Sequence, residues 1–312
     1  MLDSTRDAYG RTLVELGKEN PNVVVLDADL SKSTKTIGFS KEFPDRFFEC
    51  GIAEQNMMGI AAGLAASGKI PFASTFAVFA SGRAFDQLRV SIAQPGLNVK
   101  VVATHGGITV GEDGASHQGI EDLALVSPLP NFTVIVPADA VEASLAVRAA
   151  AAAYGPFYIR MSRSKTPVVF ADDYNFTIGK SATMKEGSDA TVIAVGIMVA
   201  PAIEAAEMLA ADGIGCRVIN MATVKPLDEE AIVKAAVETG CIVTAEEHLE
   251  RGGVGSAIAQ VVARNRPVPM QFVAIERNTA KSGKPEELLE RCRLTAADIE
   301  QAVRSCMAKR LS

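Results

Sequence analysis

Short runs of consecutive apolar, β-branched residues alternate along the chain with longer alanine-rich stretches of helical period. NVVVLDADL (22–30), NVKVVATHGG (98–107), FTVIVPAD (132–139) and PFYIRMSR (156–163) predict strands. Their apolar cores are continuous instead of alternating, the pattern of strands covered on both faces. IAEQNMMGIAAGLAASG (52–68) predicts a helix closing at Gly68, and DAVEASLAVRAAAAAYG (139–155) one with Asp139 as N-cap and Gly155 as C-cap. A polar, turn-rich stretch at 166–190 interrupts the rhythm and predicts the interdomain connection. A second series follows, with TVIAVGIMV (191–199), CRVINMATVKPLD (216–228), CIVTAEEH (241–248) and MQFVAIE (270–276) separated by helical stretches. The expectation is an α/β protein of two doubly wound domains with mostly parallel sheets. The first spans 1–170, a linker 171–190, and a smaller second domain 191–312.

Ligands of such sheets bind beyond the carboxyl ends of the strands. Those ends carry Asp27, Asp29, His105, Arg160 and Arg163 in the first domain, and Glu246, Glu247 and His248 in the second. The first set is larger and chemically more varied, so the active surface is expected there.

Composition narrows the class. With 48% hydrophobic and 22% charged residues over 312 positions, the chain has the apolar content for two cores. A net charge of −6 without a lysine/arginine block argues against nucleic acid as a partner. MLDSTRDAYG lacks the apolar core of a signal peptide, and no run reaches the ~18 apolar residues of a membrane span. The five cysteines show no CxxC spacing, which fits reduced thiols and a cytoplasmic protein.

Candidate chemistry concentrates in HGGITVGEDGASHQG (105–119). This loop holds two of the three histidines, His105 and His117, with Glu112, Asp113 and four glycines between them. Glycines allow close approach of backbone to a ligand, and histidines exchange protons near neutral pH. The competing reading is a surface loop whose histidines cap backbone; the spacing fits no standard zinc signature. Glu54 stands in the first turn of its helix, where the helix dipole alone explains a carboxylate. Its functional alternative is a partly desolvated acid that shares a proton with a ring nitrogen. Phe76 and Phe79 of STFAVF read either as core or as a stacking pair for a flat ring. Arg6, Arg160 and Arg163 offer donor forks for phosphate. GGVGSAIAQ (252–260) fails as a dinucleotide fingerprint, because Ile258 stands where a small residue is needed. It reads as a tight strand-to-helix turn.

Together these segments resemble the C-terminal half of transketolase over nearly the whole chain: a pyrimidine-binding domain, then the transketolase C-terminal domain. The motifs are the DADL turn (27–30), GIAEQNMMGIAAGLA (51–65), the STFxxF pair, the ATH…GEDGxSHQ loop with its following IED, the PAD turn, and the SR that ends a strand. Deoxyxylulose-phosphate synthase shares several of them. The resemblance implies thiamine diphosphate chemistry on sugar phosphates. Glu54 matches the glutamate that hydrogen-bonds the pyrimidine N1′, and Phe76 and Phe79 match the aromatics holding that ring. Asp29 matches the aspartate near the thiazolium. His105 and His117 match the channel histidines, which with Glu54 form the expected catalytic set. Asp113 matches the aspartate that accepts from a sugar hydroxyl; Arg6, Ser33, His105 and Arg163 match the group anchoring the sugar's distal phosphate.

Two departures stand out. Gly82 replaces an aromatic that many transketolases place near the pyrimidine. The Gly-Asp-Gly motif that precedes the Mg²⁺-binding asparagine is absent; the two aspartate–glycine pairs, Asp113-Gly114 and Asp212-Gly213, have no glycine before them. With Met1 read as a natural start, the expectation is one subunit of a split transketolase. A separate N-terminal subunit would hold the diphosphate and Mg²⁺, in a heterotetramer of two plus two. The alternatives are the beta subunit of a 2-oxo acid decarboxylating dehydrogenase component, a split transketolase for a branched or sulfonated sugar, and a non-catalytic subunit that kept the fold. The loop GEDGASHQ with Arg6 and Arg163 favours sugar phosphate over the oxo-acid reading. Retention of Glu54 and of the histidine loop argues against the non-catalytic one.

Overall fold

A computed structural model describes residues 1–276 and 281–310. The apolar runs of the first half form β2 (Val23–Asp27), β4 (Ile70–Phe76), β5 (Lys100–Thr104), β6 (Thr133–Ile135) and β7 (Phe157–Arg160), after a short β1 (Leu2–Ser4) and with β3 (Phe47–Glu49) beside β2. The second half contributes β8 (Lys165–Pro167), β9 (Ala182–Lys185), β10 (Ala190–Ala194), β11 (Cys216–Asn220), β12 (Thr223–Lys225), β13 (Ile242–Leu249) and β14 (Met270–Ile275). Two main sheets result, ordered β12-β6-β7-β5-β4-β2-β3 and β14-β13-β10-β11-β9, while β1 and β8 form an antiparallel ribbon. Only β12 in the first sheet and β9 in the second run antiparallel to their neighbours. The architecture is the mixed, mostly parallel α/β fold that unbroken apolar strands require.

Helices cover both faces of the first sheet. Thr5–Glu19 and Ala140–Ala152 bury Tyr9, Leu13, Ala143 and Val147 against Phe72 and Val102 on one face. Glu54–Ala66 packs Met57, Met58 and Ala61 against Leu26, Ala73 and Val101 on the other. That second cluster runs on into Ile193, Val224, Ile232 and Ile258 of the C-terminal half, so the two sheets share one continuous apolar body. Burying large aliphatic side chains is worth about 1.5–3 kcal/mol each, so this shared layer holds the halves in fixed relation.

Three details differ from the sequence expectation. Asp139 caps its helix, accepting from the Glu142 N–H at 2.9 Å, but the helix ends at Ala152 with Ala153 extended and Gly155 two residues beyond. The cause is the buried Lys100, whose Nζ takes the carbonyls of Ala153 and Gly155, each at 2.8 Å, and draws the chain out of the helix. Ala182–Lys185, inside the segment read as the connection, is strand β9 of the second sheet. Thr223–Lys225, within the run read as one strand of the second domain, crosses to pair with β6 of the first.

Candidate functional site

The site forms where β2, β4 and β5 end. In the DADL turn the two aspartates divide the work. Asp27 is buried and accepts from the Thr34 hydroxyl (2.6 Å), the Thr36 hydroxyl (2.8 Å) and the Leu30 N–H (2.7 Å). Burial pushes its carboxyl up to about 6. Asp29 is exposed, in the left-handed region at φ +63°, with its N–H donated to Glu49 Oε1 at 2.7 Å. Asp27 therefore builds the turn and Asp29 is displayed by it.

Glu54 opens its helix and is only 3% exposed. Its Oε1 takes an ion pair from Arg83 Nη1 at 2.9 Å, and the Arg83 guanidinium lies 4.0 Å from the centre of the Phe79 ring. Arg83 went unnoticed in the sequence. Its one signal is its place a helical turn after Phe79, within the wide-turn helix Phe79–Arg83, which puts both on one face. Gly82 beside it is open, with no atom within 4 Å of where a Cβ would stand.

Phe76, Phe79, His105 and His117 form one aromatic cluster. The Phe76 and His105 rings stack at 3.8 Å, Phe76 and Phe79 at 5.8 Å, and His117 meets Phe79 edge-on at 5.3 Å. His105 sits at φ +59°, a backbone conformation that costs a non-glycine residue energy and recurs at functional sites. Burial, then the positive charges of Arg6 and Arg163, push its imidazole down to about 2. A neutral ring fixes the tautomer: Nε2 accepts from Arg6 Nη1 at 3.3 Å, so Nδ1 carries the proton donated to Thr104 Oγ1 at 2.9 Å. His117 is half-buried, with Nδ1 at 2.9 Å from the Ser116 hydroxyl.

Arg6 also donates to the Ser33 carbonyl at 3.0 Å, which brings Arg6, Ser33 and His105 together. Arg163 donates to the Val110 carbonyl and lies 3.8 Å from Asp113. Burial and the neighbouring Arg163 charge pull the Arg6 guanidinium below its ordinary value. Two cations are thus held close, and Arg6 Nε is buried without a partner. Such a pair is an arrangement an anion relieves.

One sequence candidate belongs elsewhere, and the glycine run 252–260 is the tight strand-to-helix turn expected. Arg160 is no phosphate fork: it is 6% exposed, ion-paired to Asp122 at 2.9 Å, and its Nη2 donates to the Gly119 and Glu247 carbonyls. The glycine turn after β13 leads into helix Val254–Asn265, whose first N–H groups at Val254 and Gly255 are taken by Glu246 at 2.7 and 2.8 Å. The chain's own carboxylate occupies the place a nucleotide phosphate would need.

A pair of aromatic rings and a buried glutamate linked through Arg83, where β2, β4 and β5 end, outline a candidate site for a flat ring, and comparison with known proteins gives the family of the chain. Residues 3–168 match the transketolase pyrimidine-binding domain and residues 179–299 the transketolase C-terminal domain. A Methanocaldococcus jannaschii chain described as a transketolase C-terminal section is 47% identical, over 97% of this chain and 96% of its own length. The 6-deoxy-6-sulfo-D-fructose transketolase subunit SqwH of Clostridium sp. (strain MSTE9) is 42% identical, over 95% and 92%. A solved split gene transketolase, an inactive beta4 tetramer, superposes with a TM-score of 0.90 at 54% identity, over 98% of this chain and 99% of that one. The chain belongs to the transketolase family, a membership that carries a transferase role and implies dependence on thiamine diphosphate.

Proposed function

We propose that this chain is the pyrimidine-binding subunit of a split transketolase, moving a two-carbon ketol unit from a ketose phosphate to an aldose phosphate. A separate polypeptide would hold the diphosphate and Mg²⁺, in a cytoplasmic assembly of two plus two. The observation that carries this reading is Glu54: a buried carboxylate joined through Arg83 to the Phe79 ring of the Phe76–Phe79 pair, with His105 stacked on Phe76 and bonded to Arg6. An aminopyrimidine fits that combination, because it needs an acceptor for a ring-nitrogen proton and apolar faces for the ring. When bound, thiamine diphosphate supplies the electron sink for carbon–carbon cleavage.

The residues of this chain bind and position. Glu54 would hold the ring-nitrogen proton, Phe76 and Phe79 the ring faces, and Asp29 the entrance to the channel. His105, neutral at Nε2, and His117 would hand protons to and from sugar oxygens, while Asp113 accepts from a sugar hydroxyl. Arg6 and Arg163, with Ser33 and His105, would anchor the distal anion. The same two forks suit a sulfonate, so a sulfonated sugar is the second reading, favoured by the subunit relative whose name specifies one. Among the described residues no cluster of three His, Cys, Asp or Glu side chains could hold a metal.

Calorimetry tests the split. Titrating thiamine diphosphate and Mg²⁺ into the purified chain should give weak or no binding until the diphosphate-binding polypeptide is added. Micromolar binding with ketol transfer by this chain alone would overturn the reading.

A further inference from the structure

The run Glu246-Glu247-His248 ends a strand of the C-terminal domain and has no part in the proposed chemistry. All three side chains are buried. Glu246 is spent on the helix that follows. His248 accepts from the Ala124 N–H at 3.4 Å and its Nδ1 lies 2.8 Å from the Leu249 carbonyl. Glu247 alone reaches into the 105–119 loop, where its Oε1 accepts from the Thr109 N–H at 2.6 Å. Its carboxyl also fills the space above Gly107, so that any Cβ there would collide with it. Gly107 itself, at φ +86°, closes the loop by donating to the Gly119 carbonyl at 2.7 Å. Arg160 completes the clamp, gripping the Gly119 and Glu247 carbonyls with one nitrogen at 2.9 and 3.0 Å. A second part of the same domain lies against the far end of the loop: Gln118 donates to the Lys281 carbonyl at 3.0 Å, and Ser282 fills the space over Gly114.

We propose that Glu247 is a positioning residue for the substrate loop, through which the C-terminal domain sets where His105, Asp113 and His117 stand. A loop with four glycines between its histidines has little stiffness of its own. The buried carboxylate supplies it, by a charge-assisted bond to the middle of the loop and by its bulk against Gly107. What the loop binds rests on the function proposed above; that Glu247 orders it does not.

The experiment therefore has two arms. In the first, amide hydrogen exchange of residues 105–119 is followed in the purified chain. Glu247→Ala should accelerate exchange at Thr109 and its neighbours by roughly tenfold to a hundredfold, the worth of a lost charge-assisted hydrogen bond. Glu247→Gln, which keeps an acceptor oxygen and the side-chain volume, should accelerate it several-fold, and carries this arm alone if the alanine variant does not fold. Exchange unchanged from wild type in the folded variants overturns the proposal. In the second arm, the assembled enzyme with Glu247→Gln should show a raised donor KM with thiamine diphosphate affinity unchanged, because the cofactor-ring residues lie outside the loop. Equal loss of both overturns it too. A wild-type assembly without ketol transfer would sink the functional reading and leave the exchange arm to decide this one.

Discussion

His105 follows β5 at the centre of the first sheet, and His248 lies near the end of β13 in the second, each with charged groups close by. Topology gives them equal standing. Around His105 the chain leaves surfaces unspent: half-exposed Phe79 and His117 rings, a displayed Asp29, and an arginine nitrogen without a partner. Around His248 both ring nitrogens meet backbone, Arg160 is filled by Asp122 and two carbonyls, and Glu246 saturates a helix start. The two helix openings repeat the contrast, since Glu54 is met by a side chain that is itself half-exposed, Glu246 by fixed backbone N–H groups. A strand end becomes a site when the protein's own backbone has not already satisfied it.

The contrast breaks most sharply at Glu54. Glu54→Gln should fold normally and, in the assembled enzyme, lose about 10²–10⁴-fold in ketol transfer, the usual scale of general acid–base catalysis. Turnover near wild type at saturating cofactor would remove Glu54 from the open site. Arg160→Ala should show the reverse signature. Leaving Asp122 buried without its partner costs about 3–5 kcal/mol, read as a fall in the urea midpoint of the purified chain. Stability unchanged would mean that Arg160 does not satisfy Asp122 in the buried region around His248.

The smallest effect is the response of His105 to acid. His105 has its folded value pushed to about 2, against about 6.5 unfolded. As pH falls below 6.5 the unfolded chain gains a proton that the folded one refuses, so stability is lost on acidification, by about 2 kcal/mol between pH 7.5 and pH 5. The raised carboxyls of Asp27 (about 6), Glu142 (about 7) and Glu246 (about 7) act with the opposite sign, holding protons longer in the folded state. Wild type and His105→Gln share those carboxyls. Denaturant unfolding at the two pH values should therefore show the variant less acid-sensitive by that amount, and equal slopes would place His105 in contact with water.

Much of this was legible in the chain because it is local. Val23–Asp27 and Lys100–Thr104 announce themselves by unbroken apolar runs, Asp139 by its place before a helix, and the histidine loop by its glycines. What stayed hidden is set by partners far along the chain. Arg160 meets Asp122 and Glu247 across 38 and 87 positions, and Glu54 meets Arg83 across 29. No spacing rule spans such distances, so an arginine at a strand end reads the same whether buried or free. The crossing of Thr223–Lys225 was hidden for a related reason, since a strand's sequence states that it is buried without stating in which sheet.

That crossing bears on how the polypeptide is made and cut. Until residue 225 has been synthesised, β6 has no neighbour on one side, and the ammonium of Lys225 cannot cap the carbonyls of Ser127 and Leu129. The nascent first domain thus carries a raw sheet edge, the feature on which unwanted strand pairing begins. A truncation placed at the boundary between the two matched domains would make that transient exposure permanent, so the unit that can be handled in isolation is longer than the domain that its sequence outlines.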